Sequence, residues 1–246
     1  MPDTNRIAIV TGGLSGIGRA VAVRLARDGA TVHVGARRGA AADLTAPLTA
    51  EFGDRIGFGR LDVRDSESCA AFVDGVLARH GRVDILVNAA GVYEEEAVAD
   101  HSDRLWNDTI DTNLTGSFKM IRAVMPAMLR QKWGRIVNIA SVAAHQGISN
   151  NGAYCASKAG LLGLGRCVAL EGAAAGVVCN SVSPTWVETE MLKRFIDAEV
   201  AAGEPMAVVR ARYEASNPQG KLVQPDEVAE LVAYLASDAA RALTMA

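Results

Sequence analysis

The chain has 246 residues, 50% of them hydrophobic and 22% charged, with a formal net charge of −3, so one full-sized core is expected and nothing marks a second domain. No block of like charge exceeds Glu94-Glu95-Glu96 and no apolar run could span a bilayer, which argues against a nucleic-acid or membrane partner and for a small molecule. Cys69, Cys155, Cys167 and Cys179 lack metal or disulfide spacing, and the polar start Met1–Asn5 has no signal-peptide core, so no metal and a cytoplasmic location are expected.

Arg6–Val10 predicts a first strand, and a helical pattern through Val21, Leu25 and Ala26 stops at Gly29. Between them lies Thr11-Gly12-Gly13-Leu14-Ser15-Gly16-Ile17-Gly18. Glycine at 12, 16 and 18 lets the backbone turn tightly against a pyrophosphate, whose charge would sit among the unpaired N–H groups of the helix start. Leu14, Ser15 and Ile17 belong to the same loop. A glycine loop alone is weak, and its place between strand and helix is what gives it weight.

Thr31–Gly35 predicts the second strand, followed by Ala36, Arg37 and Arg38 where an acidic side chain would hold the ribose 2′-hydroxyl of NAD. Two guanidiniums there suit a 2′-phosphate instead, which points to NADP(H) over NAD(H). The plainer reading is a pair of solvated turn arginines. Ile56–Leu61 predicts a third strand ending at Asp62 and Val63, where the carboxylate could accept from an adenine amino group or cap the helix expected over 66–79. Val83–Val87 reads as a buried strand opening into Asn88, Ala89, Ala90 and Gly91, small residues that would let the backbone pass close to a cofactor. A long helix is expected over 106–131, interrupted in pattern by Asn113 and Gly116, with a kink at Pro126. Asn113 in apolar surroundings needs a partner.

Gly134–Ala140 predicts the next strand, with Ser141 at its carboxyl end facing the ligand crevice of an open sheet. Tyr154 and Lys158 stand four apart in a segment read as helix to about Ala175, so they share a face. A lysine cation beside a phenol would favour phenolate and lower its pKa, giving an acid/base catalyst. A surface pair is the bland alternative, and Ser141 with the glycine loop argues against it. Val177–Val182 predicts another strand, ending in Ser183-Pro184-Thr185-Trp186-Val187-Glu188-Thr189. The charged stretch over about 188–220 is expected to form a lid, and Pro225 opens a last helix to Leu235. These alternations predict an α/β fold, a single doubly wound parallel sheet of Rossmann type.

TGGLSGIG at 11–18, NAAG at 88–91, Asn113, Ser141, YCASK at 154–158 and SPTWVET at 183–189 together resemble the short-chain dehydrogenase/reductase family. The resemblance implies that Tyr154 is the general acid in carbonyl reduction and the base in alcohol oxidation. It implies that Ser141 holds the carbonyl oxygen, that Lys158 binds the nicotinamide ribose and depresses the Tyr154 pKa, and that Asn113 supports a proton-relay water. The cofactor would meet Pro184 and Val187, with Thr189 on the carboxamide. Within the family, GRIVNIAS, His145-Gln146-Gly147 and VQPDEVAELVAYL at 223–235 are similar to 3-oxoacyl and polyketide ketoreductases. The substrate would then be a ketone or secondary alcohol, with His145, Gln146 and Trp186 as candidate contacts, His145 being equally readable as solvent-facing. An NAD-dependent hydroxybutyrate-type dehydrogenase, an isomerase or dehydratase using the same groups, and a non-catalytic dinucleotide sensor are the alternatives. Thr185 replaces the family's usual glycine after Pro184. The chain ends at Leu243-Thr244-Met245-Ala246 without the family's further strand, so that strand is expected to be absent and homodimer and homotetramer are both expected assemblies.

Overall fold

Six short runs become parallel strands, most of them rich in Val and Ile because a sheet covered by helices on both faces asks for near-continuous apolar sequence. In the computed structural model, which describes residues 5–39 and 42–245, these are β1 (Ile7–Thr11), β2 (Thr31–Ala36), β3 (Ile56–Arg60), β4 (Ile85–Asn88), β5 (Gly134–Ile139) and β6 (Val177–Val182). Their order is β3-β2-β1-β4-β5-β6. The winding therefore reverses between β1 and β4, and such a switch point opens a crevice at the carboxyl ends of the strands. Register keeps those ends level, since Thr11 pairs with Asn88 and Asn88 with Asn138.

Helices α1 (Gly16–Arg27), α2 (Ala42–Phe52) and α9 (Pro225–Leu235) cover one face; α3 (Ser66–His80), α5 (Gly116–Gln131) and α6 (Gly152–Gly172) cover the other. Val21, Leu25, Leu48 and Val232 pack with Val10 and Val32 on the first face, while Val73, Met120, Met128 and Val168 pack with Ile9, Leu86 and Ile136 on the second. The cap of α3 is Asp65, which accepts from the N–H groups of Glu67 and Ser68. Asp62 is thus not the cap, which leaves its carboxylate for other partners.

The helix expected over 106–131 is two helices, α4 (Asp103–Ile110) and α5, joined by a π-helical turn over Asp111–Thr115. A π turn carries one residue more than an α turn and so re-aims a side chain. The one it re-aims is Asn113. Gly116 follows because a Cβ there would stand 2.6 Å from Val63 Cγ2. The helix continues through Pro126.

After β6 the chain forms α7 (Glu190–Ala201) and α8 (Met206–Ser216), held by a small cluster of Leu192, Ile196, Val209 and Leu222. Beyond α9 it returns to the edge of the sheet, where Met245 N–H donates to Cys179 O at 3.0 Å and Asn180 Nδ2 to Leu243 O at 2.9 Å.

Candidate active site

The glycine turn is built by close approach. Gly12 has φ +67°, and a Cβ there would come within 2.8 Å of Ala90 Cα; one on Gly18 would come within 2.6 Å of Gly12 O. Thr11, buried at the end of β1, accepts at Oγ1 from Ala89 N–H at 3.1 Å and Ala90 N–H at 3.0 Å. Sequence reading passes over Thr11, although a hydroxyl between a strand and a glycine turn is the signal. The first N–H committed inside α1 is that of Arg19, to Ser15 O, and the first turn carries no acid. An uncovered helix start with open backbone around it fits a dinucleotide phosphate. Ser15, Gly16, Ile17 and Gly18 line the cavity above it, and the side chain of Leu14 turns into the core instead.

That cavity, about 660 Å³, also collects Ala89, Gly91, Ser141, His145, Gln146, Tyr154, Lys158, Pro184, Trp186, Val187 and Thr189. Residues from four strand ends and α6 meet there. Gly91 is where they crowd: a Cβ on it would stand 3.4 Å from Asn113 Oδ1 and 3.8 Å from Lys158 Nζ. Asn113 is 1% exposed and fully used. It accepts from Val92 N–H at 2.8 Å and donates to Val92 O at 2.9 Å and Ser157 Oγ at 3.1 Å. Asn88 lies beneath, donating to Asn138 Oδ1 at 2.9 Å across the strands rather than lining the cavity.

Buried Lys158 donates to Ile139 O at 2.8 Å, and its Nζ lies 5.5 Å from the Tyr154 ring centroid. Burial lowers its pKa to about 8. The Tyr154 pKa moves opposite to expectation: burial raises it, and hydrogen bonding with Ser141 offsets only part. The physical reason is that desolvation penalises the phenolate while the Lys158 ammonium is turned to a main-chain carbonyl. Ser141 also caps the turn after β5, accepting from Ala143 N–H at 3.2 Å.

Trp186 belongs to an aromatic wall whose other members sequence reading misses. Tyr93 stands edge-on to Tyr154 (4.7 Å between centroids), Phe195 (4.8 Å) and Trp186 (6.0 Å), and Trp186 meets Tyr213 at 4.8 Å. Tyr93 Oη donates to Glu95 Oε1 at 2.5 Å. Nothing in the spacing of Tyr93, Phe195 and Tyr213 foretells this, because three separate segments supply them. Asn217, 2% exposed, fixes the Trp186 backbone by accepting from its N–H at 3.1 Å and donating to its carbonyl at 3.0 Å. His145 Nε2 lies 3.0 Å from Ser183 Oγ.

Arg37, Arg38, Asp62 and Val63 stand apart from this cavity, at the ends of β2 and β3. Both arginines are exposed, and Arg37 lies close enough to help lower the Asp62 pKa. Val63 is buried against Gly116, so only its backbone can meet a ligand. Among the described residues no helix is long and apolar enough to cross a membrane, and no cluster of three or more His, Cys, Asp or Glu could hold a metal ion.

Residues 6–200 match the family model described as short chain dehydrogenase. The 3-oxoacyl-[acyl-carrier-protein] reductase FabG of Escherichia coli is 38% identical over 240 residues, covering 97% of this chain and 93% of that one. An acetoacetyl-CoA reductase of Shinella zoogloeoides is 37% identical over 240 residues, covering 98% and 94%. Among solved structures, a variant of actinorhodin polyketide ketoreductase with NADPH matches at 39% identity and TM-score 0.91, covering 100% of this chain and 95% of that one.

Proposed function

The chain belongs to the short-chain dehydrogenase family, and we propose that it is an NADPH-dependent ketoreductase acting on 3-oxoacyl or polyketide-type ketones. The observation that carries this reading is the single cavity in which an uncovered helix start, Ser141, Tyr154 and Lys158 meet. Bound NADPH supplies the hydride. Tyr154, kept protonated by its burial, gives the carbonyl oxygen its proton, so that ketone, hydride and proton become a secondary alcohol. The Ser141 hydroxyl donates to the same oxygen as charge builds on it. Lys158 would hold the nicotinamide ribose, and Asn113 keeps Val92 in place beside it.

The glycine turn would hold the pyrophosphate, Pro184 and Val187 would lie along the nicotinamide, and Thr189 would meet its carboxamide. Arg37 and Arg38 take the 2′-phosphate, and Asp62 accepts from adenine. Trp186, His145 and Gln146 bound the substrate, and α7 with α8 forms its lid. The enzyme works in the cytoplasm as a homodimer or homotetramer, its exposed Phe118, Leu129 and Leu170 being covered between subunits. Similarity to the named reductases supports the substrate class. The test is cofactor oxidation with 3-oxoacyl thioesters, cyclic ketones and sugars, each with NADPH and with NADH. Turnover of ketones with NADPH is expected; no turnover of any ketone, or turnover with NADH alone, contradicts the reading.

A further inference from the structure

Asp62 and Arg64 form a clamp at the end of β3. Arg64 Nε donates to Asp62 Oδ1 at 3.1 Å and Nη2 to Oδ2 at 2.9 Å, while Arg64 N–H donates to Oδ1 at 3.0 Å. An ionised carboxylate offers about four lone-pair directions. Three are taken, and the one left is on Oδ2. The pair is partly open to solvent, with side-chain exposures of 31% for Asp62 and 35% for Arg64. Arg64 is itself fixed: Nη1 donates to Asp108 Oδ1 at 3.3 Å, and its carbonyl accepts from Lys119 Nζ. The Asp62 carboxyl is held down to about 2, first by the hydrogen bond from Arg64 and lastly by Arg37.

We propose that Arg64 is a positioning residue for base selection: it leaves Asp62 with one fixed acceptor, which takes an exocyclic amino group and repels a carbonyl at the same place on the purine. This rests on the placement of the cofactor's adenine beside Asp62. The selection is distinct from the choice between NADPH and NADH, since the base is common to both. Arg64 touches no part of the reacting centre and acts only through Asp62.

The test is titration of the wild-type protein and variants with NADPH and with its hypoxanthine analogue, in which a ring carbonyl replaces the amino group, reading the ratio of the two Kd values. Wild type is expected to favour the adenine form by at least about tenfold, the scale of one charge-assisted hydrogen bond. Arg64→Ala, which leaves the carboxylate free to turn, is expected to lower the ratio by at least about threefold without abolishing it, and Arg64→Lys to restore it only in part, because an ammonium cannot make the parallel pair of bonds. Asp108→Ala, which removes one tie on Arg64 and leaves its bonds to Asp62, should lower the ratio less than Arg64→Ala does. Loosening of the fold would weaken both ligands alike and leave the ratio untouched. Asp62→Asn supplies an independent arm, since an amide can turn a donor to the carbonyl and should flatten or reverse the ratio. A wild-type ratio in Arg64→Ala, or equal binding of the two ligands to wild type, overturns the proposal. Failure of wild type to bind either ligand would instead contradict the cofactor assignment beneath it.

Discussion

The ring of Tyr93 meets that of Tyr154 edge to face, with 4.7 Å between centroids and 82° between planes, while its hydroxyl is tied to Glu95. A T-shaped pair contributes about 0.5–1.5 kcal/mol beyond its burial. Tyr93 therefore steadies the proposed acid. Tyr93→Ala should lower kcat by roughly threefold to tenfold with cofactor affinity unchanged, whereas Tyr93→Phe, which keeps the ring, should stay near wild type. Steady-state kinetics at saturating cofactor checks this, and full turnover in Tyr93→Ala would show that the contact is incidental.

Lys158 gives a pH dependence with a definite sign. Its pKa falls from 10.5 to about 8 on burial, so between those values the unfolded chain binds the extra proton. Stability contributed by this group must then rise with pH. Buried Cys69 and Cys179, with thiols pushed up to about 11 and about 12, oppose it as the unfolded thiols ionise near 9. The difference between wild type and Lys158→Met isolates the lysine. Urea unfolding from pH 8 to 10 should show wild type gaining on the variant as pH rises; parallel curves would mean that the buried ammonium bears no desolvation penalty.

Arg37 should govern cofactor choice. A charge-assisted bond to phosphate is worth about 1.5–3 kcal/mol, and exposure reduces that. Arg37→Ala is expected to weaken NADPH by roughly tenfold and leave NADH nearly unchanged. Titration of both cofactors decides it, because equal weakening would make Arg37 a solvated turn residue.

Much of the site is legible in the sequence for local reasons. Thr11–Gly18 lies between a strand and a helix, Tyr154 and Lys158 share a helical face, and Ser141 follows a strand. What is not legible depends on distance through space. Arg64 is an ordinary turn residue until Asp62 and Asp108 are seen against it. Tyr93 gains meaning only beside Phe195 and Trp186, and the π turn at Asn113 follows from what Val92 and Ser157 require. The rise in the Tyr154 pKa was equally hidden, since spacing places a lysine nearby but says nothing of how deeply both are buried or where Nζ points.

The proposed chemistry turns on the Tyr154 phenol. NADPH oxidation with a 3-oxoacyl thioester, measured for wild type and Tyr154→Phe at matched cofactor saturation, tests it most directly. Losing a general acid costs about 100-fold or more in turnover, while the ring keeps its contact with Tyr93 and cofactor affinity should hold within a few-fold. Tyr154→Phe turning over near the wild-type rate would contradict the assignment of Tyr154 as the proton donor.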